Sequence, residues 1–398
     1  MNNNNFCILS DKFQCITDKN SVGNTNVLTI SAQHGLINQF EYYNHQYASE
    51  NTSGYTLLHK GDFAYNKSYS DGYPWGATKR LERYESGIVS PLYICFFAKE
   101  GVCADFYSYY FESEVFFRKI YKIAQEGARN HGLLNVSTED FFKIQIANPP
   151  LEEQRRIAEI LGCCDRVIAL KKELIAEKKK QKKALMQKLL NPDSGFRLPG
   201  FSGEWKEFKI SEICKIEGGG TPATGDEQCW NGDIFWCTPS DITNAGKYIS
   251  HTPQKITQKG IDTSSATLLP TGSVIMCSRA SIGPRCITQV PMATNQGFKN
   301  FICSDLLYNE FWYYFIDTIL EDLYKMASGN TFKEVSKNSI ATYNVTIPSS
   351  LKEQKAIADI LSAADKEIDL LEQELAQQEQ KKPRPRCLPG RNRRCCRG

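Results

Sequence analysis

The sequence predicts an α+β protein built as an internal repeat. Two globular α/β halves are separated by two long, antiparallel, coiled-coil-like helices, with a pseudo-two-fold relation between the repeats. Three observations carry that expectation. Residues 151–161, Leu-Glu-Glu-Gln-Arg-Arg-Ile-Ala-Glu-Ile-Leu, recur as 351–361, Leu-Lys-Glu-Gln-Lys-Ala-Ile-Ala-Asp-Ile-Leu, and the match continues at that offset through Asp165/Asp365, Ile168/Ile368 and Leu170/Leu370. Self-similarity at so long an offset marks one duplicated module, not a solenoid. Next, Ile357, Leu361, Ala364, Ile368, Leu371 and Leu375 step by four and three, as a coiled-coil seam does, and Ile157, Leu161, Cys164, Ile168 and Ile175 follow in the first copy. An ordinary helical hairpin shows the same stepping, and the duplication is what favours paired rods. Finally, each rod closes a stretch of strand-like runs and one aromatic-rich helical run.

The composition sets bounds on this layout. A chain of 398 residues expects two or three domains, and its 41% hydrophobic and 23% charged residues fit a globular protein. No run approaches the ~20 apolar residues of a membrane span, and Met1-Asn-Asn-Asn-Asn-Phe6 has neither the basic nor the apolar part of a signal peptide. A cytoplasmic protein is expected. The 15 cysteines are scattered, odd in number and never spaced Cys-x-x-Cys, and the five histidines do not join them at ligand spacing. Neither a metal site nor a disulfide framework is expected, so the cysteines read as small buried hydrophobes. The net charge of +3 is too small to identify a partner, and the position of the charge matters more.

In chain order, residues 1–148 form the first globular half. Strands are expected at 26–31, 61–65, 89–97 and 142–147, with a single Tyr- and Phe-rich helix over 106–128. The first rod occupies 149–190 and opens on Pro149-Pro150, which the first helical turn tolerates. Ile160, Val167, Leu170 and Leu174 widen its stripe, predicting burial of more than one face. Its basic run, 171–183, reads as a solvated helix face, with contact to phosphate or to a partner as the alternative. Residues 191–203, rich in Pro, Gly and Ser, form a linker. The second half covers 204–347, with an aromatic helix over 306–326. The second rod covers 348–382 and opens on the capping box Ser350-Leu-Lys-Glu353. The basic tail 383–398 begins Pro-Arg-Pro-Arg and cannot continue a helix. We expect a reading-frame change to have replaced the native terminus there, with a natural basic nucleic-acid tail as the alternative.

Chemical motifs are scarce. Gly218-Gly-Gly-Thr-Pro222 lacks the Lys-Ser/Thr of a phosphate loop and reads as a turn. Asn148-Pro-Pro-Leu151 resembles the Asn-Pro-Pro-aromatic segment of adenine methyltransferases, but it has Leu in the stacking position and opens a helix. No Ser/His/Asp, Cys/His or paired-carboxylate arrangement can be argued, so no catalytic residue is assigned. What remains is loop material suited to reading DNA, in which Arg and Lys bond guanine edges, Asn and Gln bond adenine edges, and others hold phosphates. The candidates are Asn66, Lys67, Tyr69, Lys79, Arg80, Arg129 and Asn130 in the first half, and Ser278, Arg279, Asn295, Gln296, Asn330 and Lys333 in the second. Each can equally be a structural turn residue.

With this layout the chain resembles the DNA-specificity subunits of Type I restriction–modification systems over nearly its whole length. The resemblance rests on the paired helix openings at 150–161 and 350–361. Gly-Gly-Thr-Pro (219–222), Thr-Pro-Ser-Asp (238–241), Ser-Arg-Ala-Ser-Ile-Gly (278–283) and Asn-Gln-Gly-Phe (295–298) add to it. It implies that the two halves are target-recognition domains, each reading one part of an asymmetric bipartite site on double-stranded DNA. The rods would set the gap between the parts and dock two modification (methyltransferase) subunits, with restriction (motor-nuclease) subunits as further partners. On this resemblance Ile157, Leu161, Ile168, Ile175, Ile357, Leu361, Ile368, Leu371 and Leu375 form the helix–helix and partner interface. The chain itself would bind no cofactor and no membrane, while the partners would use S-adenosylmethionine, ATP and Mg. The first half lacks the Trp-Lys opening and the Gly-Gly-Thr-Pro of the second. Two alternatives stand beside this reading: an inactive or phase-variable allele of the same subunit, and a non-catalytic coiled-coil scaffold. A methyltransferase would need cofactor motifs that the sequence does not show.

Overall fold

Short runs of alternating or continuous apolar residues build a sheet in each half of the chain, and the same strand order appears twice. The computed structural model describes residues 5–31, 34–45, 51–68, 73–124, 134–328 and 333–381, apart from the side chain of Asn244. Two compact units divide within the rods: the first holds the described residues up to Lys172 and from Glu374 on, the second Glu173–Gln373.

In the first unit an antiparallel sheet runs Phe13–Cys15, Ile94–Ala98, Phe63–Asn66, Ala77–Arg80. Its buried face is aromatic: Phe63 stacks on Phe96 with centroids 5.4 Å apart, and Phe13 meets Phe96 edge-on at 5.4 Å. Such pairs contribute about 0.5–1.5 kcal/mol each beyond the area they bury. Phe111 and Phe116, from helices Ala104–Phe111 and Glu114–Ile123, complete the cluster. The single helix expected over 106–128 is therefore two. Ser113 caps the second by accepting from the amide of Phe116, a local bond that competes with helix continuation. The run 89–97 likewise divides into the end of Ser86–Val89 and Ile94–Ala98, with a turn at Pro91.

The second unit repeats the order with a fifth strand: Cys214–Gly218, Phe298–Cys303, Val274–Cys277, Arg285–Thr288, then Tyr248–Ile249 parallel to its neighbour. A three-stranded sheet, Lys255–Ile256, Trp230–Cys237 and Met292–Thr294, lies in the same unit. Helix Asn309–Met326 buries Phe311, Trp312, Phe315, Ile316 and Leu323 against the main core. The end of the first rod joins that core through Leu189 and Leu190, both nearly fully buried.

Each unit joins its globe to a rod by the same device. A two-stranded antiparallel pair, Phe6–Ile8 with Gln145–Ala147 and Trp205–Lys209 with Asn344–Pro348, delivers the chain to the rod's first turn. The repeated Gln then reaches back: Gln154 Nε2 donates to the Pro149 carbonyl at 2.8 Å, and Gln354 Nε2 donates to the Pro348 carbonyl at 2.8 Å. A tyrosine from the aromatic helix clamps the rod further along, Tyr109 donating to Asp165 at 3.1 Å and Tyr314 to Asp365 at 2.6 Å. The repeated sequence is thus explained as much by globe–rod docking as by rod–rod packing. Ile157 packs on the first unit's core, and Ile357 and Leu361 are part of the second's.

The rods, Leu151–Leu189 and Leu351–Lys381, pair antiparallel within each unit. In the first, Lys171 meets Glu374 at 2.7 Å and Lys172 meets Glu379 at 2.8 Å. In the second, Lys178 pairs with Glu367 at 2.6 Å, Lys179 with Glu372 at 2.7 Å and Lys182 with Asp365 at 2.5 Å. These lysines of the basic run therefore engage carboxylates on the other rod. Exposed pairs contribute about 0–1 kcal/mol each, so they set register more than stability. Of the seam, Ile175, Ile357, Leu361 and Ile368 are buried, while Ile157, Leu161, Ile168, Leu371 and Leu375 are half-buried. The second buried face expected of the first rod is absent: Ile160, Val167, Leu170 and Leu174 lie exposed, Leu170 at 59%. Cys163 and Cys164 are also exposed, contrary to the expectation that cysteines are buried. A two-helix seam covers one stripe of each helix and leaves the opposite side to solvent or a partner.

Candidate nucleic-acid interface

In the second unit, four sequence-distant motifs converge beyond one end of the sheet. The Val274–Cys277 strand runs into residues 278–283, and the Ser278 amide donates to the Gly297 carbonyl at 2.8 Å, beside the Asn-Gln-Gly turn. Gly220 donates its amide to the Thr294 carbonyl at 2.9 Å, and its own carbonyl accepts from Trp236 Nε1 at 2.9 Å. A Cβ at Gly219 would overlap the Asn295 carbonyl oxygen, which explains why the chain carries glycine there. The Thr221 hydroxyl donates to the Gln296 side chain. The segment before helix Lys337–Ala341 closes the cluster: Ala280 donates to the Lys333 carbonyl at 3.1 Å and Val335 to the Ser278 carbonyl at 3.0 Å. Ala280 holds a left-handed φ of 64°, a conformation that costs a non-glycine residue energy and that the surrounding bonds impose.

Sequence reasoning missed the residues that brace this cluster. Lys299 lies within a run of buried strand residues, 8% exposed, with its ammonium 2.9 Å from Glu334 and 3.4 Å from the Ser278 hydroxyl. Asn300 is fully buried and donates to the Thr294 hydroxyl at 2.8 Å. The available signal was a Lys-Asn pair inside an otherwise apolar strand, Phe298–Cys303, since a buried charge needs a partner. Above this layer Arg279, Gln296 and Lys333 are exposed and Asn295 is half-buried. Ser278 is fully buried, so it supports the loop and presents nothing to a ligand. The exposed set offers guanidinium, amide and ammonium groups on a braced floor, the chemistry that reads base edges and holds phosphates.

The first unit uses the equivalent hairpin. Phe63–Asn66 leads into the loop that returns through Ala77–Arg80. Asn66 Oδ1 accepts from the Ser68 amide at 3.0 Å, an Asx turn. Lys67 is half-buried, and burial holds its ammonium below the usual lysine range. Its carbonyl accepts from Leu134 at 3.0 Å, as that of Ser278 accepts from Val335. Two candidates are engaged internally. Lys79 is 9% exposed and paired with Glu112 at 2.7 Å. Arg80 meets both Glu82 and Asp105 at 2.6 Å. Tyr69, Arg129, Asn130, Asn330 and the tail 383–398 lie outside the described residues.

No group of three or more His, Cys, Asp or Glu side chains is arranged to hold a metal ion among the described residues, and no described helix is long and apolar enough to cross a membrane. Burial pushes the Cys277 thiol up to about 11 and the Cys286 thiol up to about 12. Both therefore remain protonated and unreactive near neutrality.

Comparison with known proteins gives one consistent family. Residues 18–179 and 202–380 match the Type I restriction modification DNA specificity domain. The chain is 37% identical over 179 residues to the Type I restriction enzyme MjaIX specificity subunit of Methanocaldococcus jannaschii, covering 44% of this chain and 40% of that protein. It is 28% identical over 218 residues to the Type I restriction enzyme EcoR124I/EcoR124II specificity subunit of Escherichia coli, covering 52% of this chain and 51% of that one. The matches thus span about half the length of these relatives or less. The fold is that of the HsdS subunit from Thermoanaerobacter tengcongensis, with a TM-score of 0.55 at 19% identity, covering 94% of this chain and 92% of that one.

Proposed function

The chain belongs to the Type I restriction–modification DNA-specificity family, and from that premise we propose that it selects the DNA site at which a multisubunit methyltransferase and nuclease act. Each globular half, 1–148 and 204–347, is a target-recognition domain that reads one part of a bipartite, asymmetric site. The rods 149–190 and 348–382 set the gap, 191–203 links them, and the chemistry belongs to partner subunits using S-adenosylmethionine, ATP and Mg in the cytoplasm. The observation that carries this reading is the recurrence, in both units, of a polar hairpin loop braced by the segment that precedes the rod. In the second unit Arg279, Asn295, Gln296 and Lys333 are the readers. In the first, Asn66 and Lys67 take that role, while Lys79 and Arg80 shape the loop from beneath.

The partner surface is the outer face of the rods and not the seam. Ile160 and Leu170 on the first rod recur as Ile360 and Leu370 on the second, and all four are exposed. The same exposed apolar positions repeated on both rods support an interaction surface there, and two copies, one per unit, suit two modification subunits.

Co-expression with the methyltransferase encoded beside it, followed by sequencing that detects modified adenine, tests the reading. A split motif with a fixed gap is the expected result. Unmodified host DNA despite stable partner binding would refute it.

A further inference from the structure

The two units differ in charge at one repeated place. In the first, Tyr121 of helix Glu114–Ile123 packs edge-on against Trp75 of the hairpin loop, centroids 4.7 Å apart. In the second, Tyr324 of helix Asn309–Met326 donates to the Ile282 carbonyl of its own loop at 3.0 Å. Aligned on these two tyrosines, Arg118, Lys119 and Lys122 fall opposite Glu321, Asp322 and Lys325. The second unit's acids are engaged locally: Glu321 pairs with Lys325 at 3.1 Å, and Asp322 accepts from Tyr343 at 2.7 Å. The first unit's cations are less neutralised. Arg118 meets Glu114 at 2.6 Å across one helical turn, whereas Lys119 and Lys122 have no carboxylate partner among the described residues. Lys119 lies 5.6 Å from the Phe6 ring centroid. Burial, then the neighbouring Lys122 ammonium, holds its pKa below the usual lysine range. With Glu114 and Val115 these cations line an open groove of about 380 Å³.

We propose that Arg118, Lys119 and Lys122 form a phosphate-binding ridge that holds the DNA backbone beside the first unit's half-site, and that the second unit has no counterpart. The inference rests on the specificity reading above. An anionic phosphate in this groove relieves the lysine–lysine repulsion and offsets the partial desolvation of Lys119. Proximity to the reading loop favours a duplex as the source of that phosphate. Arg118 is one turn from Tyr121 and Lys122 is adjacent to it, so a strand read by the loop passes within reach of both. Such contacts add affinity and salt dependence without sequence information.

The test uses the full chain with its modification subunits and a labelled duplex carrying the mapped motif, titrated by anisotropy across salt concentrations. Arg118→Ala/Lys122→Ala is expected to flatten the slope of log affinity against log salt by about 0.9 for each phosphate that is no longer neutralised. For two phosphates, the unaltered complex would then lose about tenfold more affinity than the variant between roughly 50 and 200 mM salt. The methylated motif should stay the same, and the charge-preserving Arg118→Lys/Lys122→Arg should keep the original slope. Equal slopes and affinities for the alanine variant and the unaltered complex would overturn the ridge while leaving the specificity reading intact. Failure of the unaltered complex to bind duplex would overturn both.

Discussion

In the first unit the hairpin loop rests on rings, Tyr73 on Phe117 and Trp75 on Tyr121. In the second, the corresponding loop is fastened by backbone bonds to two neighbouring turns and stands over the Lys299–Glu334 pair. The sheet order beneath them is the same. The difference shows how a duplicated scaffold carries two loops anchored by unrelated chemistry. The parts that hold the rod, the repeated Gln and the Tyr–Asp clamp, are retained in both copies, while the loops are anchored by whatever local chemistry each has. The loop anchors can then change without disturbing the rods.

The comparison breaks most severely where one unit has a part the other lacks. Leu190→Ala should cost the second unit about 3 kcal/mol, as other buried leucine truncations do. Denaturant unfolding followed by Trp312 fluorescence would measure it, and a loss well under 1 kcal/mol would mean that the first rod's end does not hold that core. Gly219→Ala should cost about 2 kcal/mol by overpacking against the Asn295 backbone. Its clearer signature is in recognition: duplex binding should lose its dependence on the second half-motif and keep the first. If both half-motifs weaken together, the loops are not independent. Lys79→Met sharpens the contrast from the other side. Because Glu112 keeps partial solvent access, the loss should be about 1 kcal/mol with the methylated motif unchanged, and an altered first half-motif would make Lys79 a reader.

The smallest expected difference is in acid. In the second unit, burial pushes Glu310 up, but bonds from Tyr248 and Lys247 outweigh it and leave its pKa below the ordinary 4.5. Its contribution is thus present above 4.5 and lost as pH falls through the lower folded value. In the first unit, burial raises Asp62 above its ordinary 3.8 despite the His59 amide bond. Its protonation therefore favours the folded state, and the unit gains from it as pH falls. Hydrogen exchange between about pH 5 and pH 3 should show protection declining sooner in the second unit. Parallel loss in both would remove these two carboxylates as the source.

The rods, their offset and the two-globe layout were legible because periodicity and duplication are written in the sequence. The loop motifs of the second half were legible as motifs, but not as a cluster, since Gly219, Ser278 and Asn295 meet only through sheet pairings between distant strands. Two expectations fail for different reasons. A buried face for Ile160 and Leu170 depends on which surface a neighbour covers, which local pattern does not record. The single aromatic helix, in contrast, is broken locally by the Ser113 cap. The internal pairing of Lys79 and Arg80 was not legible because Glu112 and Asp105 are remote in sequence. Lys299 was overlooked for the same reason: its partner, Glu334, is remote in sequence.

The ladder of ion pairs makes the two rods complementary and not interchangeable. Lysines sit on the first and carboxylates on the second, at Lys171–Glu374, Lys172–Glu379, Lys178–Glu367, Lys179–Glu372 and Lys182–Asp365. If one first rod met another in this register, Lys172 would face Lys179, while Lys171 and Lys178 would face Leu174 and Val167, leaving Lys182 with Asp165 as the sole surviving match. Duplication supplied two like helices, and divergence of charge has made the first match the second better than it matches a copy of itself. In this register a half-length fragment ending after the first rod would find its ion-pair partners in the second half of the chain and keep only Lys182–Asp165 with its own copy.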